Sequence, residues 1–201
     1  YTRIEGMEIF DFGGSSFSAH GIELDGLYMQ IKSCLIHDMA ENNNGELITI
    51  GGGGNGGHIV YNNIVYNGDR DGILFNNWSA PTSYAYNNTI INASSTGLID
   101  VNHNNIAINN LVLNCGTDYS GWDTDNSGYN ISSDGAHIGA NSFQAVQPLE
   151  NIFVDPDNHD YRLRSANSAP HDMGTTITIV EDDIIGTTRP TDANYDIGAF
   201  E

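Results

Sequence analysis

Residues 60–67, 85–92 and 107–114 read VYNNIVYN, AYNNTIIN and AINNLVLN, three versions of one eight-residue pattern. Two more distant copies precede them, QIKSCLIH at residues 30–37 and IEGMEIFD at residues 4–11. When the copies are stacked, one column is aliphatic throughout: Ile9, Leu35, Val65, Ile90 and Val112. Two residues further on, a second column is polar throughout: Asp11, His37, Asn67, Asn92 and Asn114. Fixed columns of this kind are typical of proteins built from stacked repeats.

A second strand pattern follows each copy, with Ile22, Ile48, Ile73 and Leu98 at intervals of 26, 25 and 25 residues. Short strands, Asn- and Gly-rich turns and this period predict an all-β fold, a right-handed parallel β-helix with coils ~4.8 Å apart. Asparagine suits the bends because it tolerates left-handed backbone angles, and stacked asparagines can form hydrogen-bonded ladders. We predict coils over residues 1–135 and an irregular C-terminal cap, packed on the same solenoid, over residues 136–201.

The composition limits the partners. Acidic residues number 26 and basic residues 6, which gives a net charge of -20. Nucleic acid is excluded as a partner, because its phosphates require lysine and arginine. A membrane span is excluded because no apolar run approaches the ~20 residues that it needs. An acidic chain rich in asparagine and glycine favours an extracellular or cell-surface location. A polysaccharide or glycan enters as a partner only through the two functions considered below.

The two cysteines are expected to remain free thiols. Cys34 lies in the second copy and Cys115 follows the last one. Three coils at ~4.8 Å separate them by ~14 Å, which is too far for a disulfide.

The C-terminal third carries three further motifs: GYNISSDG at 128–135, NIFVDPDNHDYRLRSANSAPHDMG at 151–174 and GTTRPTDANYDIGAFE at 186–201. Together they resemble the ending of the choice-of-anchor Q family of right-handed β-helix surface proteins, whose fold is of the pectate-lyase-like type. Residues 168–170 are Ser-Ala-Pro, where Ser-Pro-Ala is commoner in that family. The resemblance implies a secreted or surface-attached protein, and it implies no single activity.

Two functions fit these observations. The preferred one is an extracellular or cell-surface β-helix protein acting as a structural, adhesive or assembly module that binds glycans and requires no cofactor. The alternative is a polysaccharide lyase or glycoside hydrolase with its cleft along the β-helix. A lyase needs a base beside a cationic group, and the candidates are Lys32, Arg70, His37 and His58. Arg70 is also explained as a charge-compensated turn residue between two aspartates.

Two further sets of residues are candidate binding groups. Trp78 and Trp122 lie beside turn residues, where an exposed indole would stack on a sugar ring. The alternative is that these indoles pack against the outside of the coils. Residues 123–134, DTDNSGYNISSD, space Asp123, Asp125, Ser127 and Asp134 like ligands of a calcium loop. Aspartate stands at the twelfth position, where such loops normally carry glutamate, and an ordinary polar turn is the alternative.

The first repeat starts on a strand. Because an exposed coil edge presents unpaired backbone groups, residues 1–12 are expected to contact either upstream coils or another copy of the chain. The alternative is that YTRIEG at 1–6 is itself a short polar cap, with Arg3 and Glu5 at its edge.

Overall fold

The computed structural model describes residues 2–13, 19–41, 44–51, 55–78, 81–164 and 168–201. In chain order its elements are β1 (Arg3–Glu5), β2 (Glu8–Phe10), β3 (Ile22–Leu24), β4 (Gln30–Lys32), β5 (Leu35–His37), β6 (Ile48–Ile50), β7 (Ile59–Tyr61), β8 (Ile64–Gly68), β9 (Ile73–Phe75), β10 (Tyr84–Tyr86), β11 (Thr89–Ala93), β12 (Thr96–Asp100), β13 (Ile106–Ile108), β14 (Leu111–Leu113), β15 (Thr117–Ser120), β16 (Ile131–Ser132), β17 (Phe143–Gln144), α1 (Leu149–Ile152), β18 (Phe153–Asp155), a 3₁₀ turn at Pro156–Asn158, and β19 (Asp160–Leu163).

Successive strands of the chain fall into three parallel sheets. Sheet 1 has the order β1-β4-β7-β10-β13, sheet 2 the order β2-β5-β8-β11-β14-β16-β17, and sheet 3 the order β3-β6-β9-β12-β15. The chain therefore visits each sheet once per coil, and the predicted all-β parallel solenoid is confirmed. Right-handed coiling stays a prediction, since it is the hand that parallel crossovers strongly prefer.

The aliphatic column is confirmed with one correction. Val65, Ile90 and Val112 pair across adjacent strands and are fully buried. In the second copy Ile36, not Leu35, pairs with Val65. The predicted register of this copy was wrong by one residue, because the copy starts at Ile31, which pairs with Val60. Ile22, Ile48, Ile73 and Leu98 form the predicted second column and are buried.

The polar column marks the bends. Its members have left-handed backbone angles, with φ from 51° to 57°, and they are Asp11, Asp38, Asn67, Asn92 and Asn114. Asp38 takes the place that was predicted for His37, through the same one-residue shift. A second column of left-handed residues lies between sheets 1 and 2, at Ser33, Asn62, Asn87, Asn109 and Tyr129. Asparagine suits these columns because it adopts this conformation at little cost.

A buried asparagine ladder runs along the solenoid beside the second bend column. Asn63 donates to Asn88 at 2.9 Å, Asn88 to Asn110 at 3.0 Å, and Asn110 to Asn130 at 3.1 Å. Each amide also bonds backbone groups of adjacent coils; Asn88, for example, donates to the Val60 carbonyl and accepts the Asn63 N–H. The predicted ladder is confirmed, and its hydrogen bonds are satisfied within the protein.

Residues 168–201, here named the C-terminal strap, run along the side of the coils. Asp182 pairs with Lys32 at 3.0 Å, and Val180 packs on Tyr61. Further along the solenoid the strap carbonyl of Thr175 accepts from the Asn109 amide at 2.7 Å. Residues 143–144 instead extend sheet 2 as β17. The region predicted as a cap therefore continues the coil first and then packs on the flank of the solenoid.

Both cysteines are free, as predicted. Burial raises the pKa of the Cys115 thiol to about 12, so this group is an unreactive thiol at neutral pH. No helix in the described part of the chain has both the length and the apolar character that crossing a membrane requires.

Candidate functional site

A groove of about 570 Å³ lies between sheet 2 and the hairpin of β18 and β19. We name it the asparagine groove. On the solenoid side it is lined by Asn67, Asn92 and Asn114, and on the other side by residues 148–150, 156–157, 159 and 161. Its volume falls in the range of about 300–1,000 Å³ typical of small-molecule sites.

The three groove asparagines form a ladder that is open at one end. Asn92 donates to Asn67 at 3.2 Å, and Asn67 donates to the Asp38 carboxylate at 2.8 Å. Within the described residues, Asn92 Oδ1 and the side-chain amide of Asn114 have no protein partner. This ladder differs from the buried one, because here amide groups remain available to a ligand.

Asp38 fixes the closed end of the open ladder. Its carboxylate accepts from Asn67 and lies 2.8 Å from His37 Nδ1. Burial raises the pKa of Asp38, but the hydrogen bonds from Asn67 and His37 outweigh it and hold the pKa below its ordinary value. Asp38 is therefore ionised, and it orients the Asn67 amide with its NH₂ group towards the carboxylate.

A row of stacked rings holds the hairpin against sheet 2. His37 stacks between Phe10, at 5.4 Å, and Tyr66, at 4.6 Å. Tyr66 then contacts His159 at 4.7 Å and Tyr161 at 5.2 Å. Phe10, His37 and Tyr66 occupy one register column, so the solenoid itself aligns the rings. The groove wall is thus built on packed side chains, and the exposed His159 ring faces solvent at its edge.

The charge of the groove is negative. Glu150 and Asp157 line it, both are exposed, and no lysine or arginine is among its lining residues. A second groove of about 390 Å³ shares Asn114 and Pro148 and adds Asp134. The two grooves together follow the outer edge of sheet 2 along the solenoid axis.

Lys32, the first lyase candidate, forms an ion pair with the strap. Its ammonium lies 3.0 Å from Asp182 and 3.5 Å from Glu5, and it sits over the Tyr61 ring at 5.7 Å. Burial lowers the pKa of Lys32, but the hydrogen bond and ion pair with Asp182 outweigh it and hold the pKa above its ordinary value. A protonated, ion-paired lysine is a poor catalytic base.

The other three lyase candidates are separated from Lys32 and from one another. Arg70 lies between sheets 2 and 3 and pairs with Glu46 at 3.0 Å. His37 lies on sheet 2 in the row of rings. His58 precedes β7, is fully buried and accepts the Met29 N–H at 3.3 Å. The fold does not bring these candidates together at one site.

Three of the four predicted calcium ligands form hydrogen bonds with other protein groups. Asp123 accepts the N–H groups of Asp125 and Asn126, which is the pattern of a polar turn. Ser127 is buried and its hydroxyl accepts the Ala107 N–H at 3.1 Å. Three possible metal ligands lie within reach of one another at His171, Asp172 and Asp192. There the two ring nitrogens of the histidine lie 3.4 Å from Asp172 and 3.3 Å from Asp192.

The Asp134 carboxylate accepts hydrogen bonds from the main chain. Its carboxylate accepts the backbone N–H of Asp118 at 3.0 Å and that of Ala136 at 2.7 Å. The side chain therefore fixes its own turn and links it to the preceding coil, which agrees with the polar-turn interpretation of residues 123–134.

The two tryptophans have different environments. Trp78 is 69% exposed, as a sugar-stacking residue requires. Trp122 is 4% exposed, packs edge-on against Phe75 at 5.1 Å and donates its indole N–H to the Leu98 carbonyl. Of the two alternatives, Trp122 follows packing, because its ring belongs to the core cluster and its one polar atom is satisfied by a strand carbonyl.

Comparison of the chain with known protein families, with curated proteins and with solved structures found no match. The resemblance of the C-terminal third to choice-of-anchor Q proteins therefore stays a hypothesis.

Proposed function

We propose that this protein is an extracellular or cell-surface β-helix module that binds a carbohydrate polymer in the asparagine groove. The observation that carries the proposal is the open ladder, in which the Asn92 amide oxygen and the whole Asn114 side-chain amide, one coil apart, have no partner among the described residues. Amides donate and accept hydrogen bonds, so they match the hydroxyl groups of a sugar. The ~4.8 Å coil spacing repeats this pattern along the axis, which suits a polymeric ligand.

The alternative function, a polysaccharide lyase or glycoside hydrolase, has less support. A uronate substrate needs cationic groups beside its carboxylates, and the lining of the groove holds none. Lys32 and Arg70 are engaged in separate ion pairs. The release of unsaturated products from uronate polymers, abolished by Lys32→Ala or Arg70→Ala, would favour the lyase over the proposal.

The binding test uses a panel of soluble oligosaccharides and isothermal titration calorimetry on the whole chain. Asn92→Gly and Asn114→Gly remove the amides and keep a residue that accepts the left-handed backbone, φ 57° at both positions. We expect each variant to weaken binding about 3- to 10-fold, because each loses one hydrogen bond to the ligand.

Asn141→Gly is the matched control for these variants. Asn141 is exposed, has the same φ of 57° and lies outside the groove lining. Equal binding by all three variants and the unchanged protein would place the ligand elsewhere and refute the groove.

Assembly is a second element of the proposal. β1, β2 and β3 each occupy the end of their sheet order, and Met7 and Phe10 are 48% and 54% exposed in the same coil. An edge of this kind is suited to pair with further coils or with another copy of the chain. Sedimentation velocity over a range of concentrations tests self-association, and a monomer at the highest concentration would count against pairing between copies.

A further inference from the structure

We infer that the ligand of the asparagine groove is a cationic glycan, a polymer of amino sugars with free ammonium groups. The inference rests on the proposed function and adds the chemical class of the ligand. It starts from the charge of the groove lining, which the hydroxyl-binding amides alone do not explain.

Two carboxylates of the groove have no ion-pair partner in the part of the chain that the structure describes. Glu150 and Asp157 line the groove and are exposed, and neither forms an ion pair with any described residue. An ammonium group on a ligand would supply the missing opposite charge, because charge-assisted hydrogen bonds to a carboxylate are stronger than neutral ones. A polyuronate would instead place its own carboxylates against these two.

The nearby arginines form no ion pair with the two groove carboxylates. Arg162 is committed to Asp160, with which it forms a two-point contact. Arg164 donates to the backbone carbonyl of Glu150 at 2.7 Å, so its partner is the main chain and not the carboxylate. Both cations thus have identified partners, and the Glu150 and Asp157 side chains remain available.

The amides and carboxylates line the same groove and come from different parts of the chain. Asn92 and Asn114 lie on the solenoid side, and Glu150 and Asp157 lie on the opposite side. A sugar lying between them would offer hydroxyl groups to the amides and an ammonium group to the carboxylates. The net charge of -20 also attracts a polycation to the protein from a distance.

The test compares three ligands of equal length by calorimetry: glucosamine oligomers, their fully N-acetylated forms and oligogalacturonate. At about pH 6 carboxylates are ionised and the comparison isolates the ammonium group. We expect the glucosamine oligomers to bind at least about tenfold tighter than the acetylated ones. This factor corresponds to the one charged hydrogen bond that an acetylated amine cannot form. We expect no binding of oligogalacturonate.

A double variant, Glu150→Gln with Asp157→Asn, tests the two carboxylates. We expect it to lower glucosamine affinity about tenfold and to leave the affinity for acetylated oligomers within about twofold. Glu23→Gln with Asp125→Asn removes the same charge from exposed positions outside the groove, and it controls for general attraction between a polyanion and a polycation. Circular dichroism checks that all variants are folded.

The outcomes separate the two proposals. Equal binding of glucosamine and acetylated oligomers, or an equal effect of both double variants, would overturn the charge assignment and leave the groove as a carbohydrate site. Tighter binding of oligogalacturonate would also overturn it. No binding of any oligomer would overturn the proposed function together with this inference.

Discussion

Asp118 and Asp134 each accept a hydrogen bond from the backbone of the other. The Asp118 N–H donates to Asp134 Oδ2 at 3.0 Å, and the Asp134 N–H donates to Asp118 Oδ2 at 3.1 Å. Asp118 is fully buried and accepts two further backbone or hydroxyl groups from Ser133. Two carboxylates thus join successive coils through main-chain donors.

Calcium is therefore expected to have little effect on stability. The side chains of Asp123, Ser127 and Asp134 are already engaged by protein donors, so Ca²⁺ would have to displace these hydrogen bonds. Adding Ca²⁺ or EDTA should shift the melting temperature by less than about 1 °C, since only a ligand that binds the native state stabilises it. Differential scanning calorimetry measures the shift. A rise of several degrees with Ca²⁺, lost in Asp134→Asn, would contradict this expectation.

The corrected register predicts different costs at two neighbouring positions. Ile36 is fully buried in the central core, whereas Leu35 is partly buried against the outer cluster. Ile36→Ala should lower the free energy of unfolding by about 2–4 kcal/mol, because stacked coils cannot close the cavity. Leu35→Ala should cost about 1–2 kcal/mol, since part of that side chain is already hydrated. Urea unfolding gives both values, and the reverse order would restore the original register.

The same comparison extends to Val65 and Ile90, the central members of the aliphatic column. Replacement of either by alanine should cost about 1–4 kcal/mol. A smaller cost at both sites than at Leu35 would mean that this column is not the tightly packed core of the solenoid.

The two asparagine ladders should respond differently to mutation. Asn88→Ala removes hydrogen bonds to Asn63, Asn110 and Val60 in a buried setting, and we expect a loss of about 2–4 kcal/mol of stability. Asn92→Gly acts on an exposed amide in the same coil and should cost less than about 1 kcal/mol. Thermal or urea unfolding of both variants checks the contrast. Similar losses would show that the groove ladder is structural.

The strap provides a test of pH dependence. Burial raises the pKa of Asp196 to about 6, and the Glu201 carboxylate adds to the effect. An unfolded aspartate has a pKa of ~3.9, so between these values the folded state holds a proton that the unfolded state has lost. Stability from this group is therefore complete below about pH 4 and decreases as the pH rises through 6.

Asp196→Asn should remove this dependence. The amide keeps an oxygen that can accept the Asp172 N–H and carries no charge. Relative to the unchanged protein, the variant should gain about 2–3 kcal/mol between pH 4 and pH 7.5, since one pKa unit corresponds to about 1.4 kcal/mol. Urea unfolding at the two pH values measures the difference. Asp125→Asn, at an exposed turn position, is the control, and a pH-independent difference for Asp196→Asn would contradict the assignment.

The fold could be predicted because the residues that define it recur at regular intervals in the sequence. Val65, Ile90 and Val112 recur with asparagine at fixed distances, and that spacing requires stacked strands whatever the loops do. The second copy was misaligned because Cys34 occupies the position of the ladder asparagines, as its N–H bond to Asn63 shows. Without the Asn-Asn pair, nothing in the local sequence fixes the register to one residue.

Only one of the two walls of the groove could be predicted from the sequence. Asn67, Asn92 and Asn114 were visible as a polar column, but the opposite side comes from the hairpin around His159, which follows the repeats by many residues. What brings them together is the contact of Tyr66 with His159 and Tyr161, and no repeat pattern encodes a contact between a coil and a non-repetitive segment. The sequence left the exposure of Trp78 and Trp122 open for the same reason, because a loop tryptophan has no column to define its direction.

The strap changes how the solenoid is expected to unfold. In a simple array each coil contacts only its neighbours, so terminal coils can fray while the others stay folded. Here one segment binds Lys32, Tyr61, Asn87 and Asn109, which belong to four successive coils. Opening any one of these coils also breaks the contact between that coil and the strap, so the free energies of the coils are no longer independent. We therefore expect the strap to make unfolding of the solenoid more cooperative.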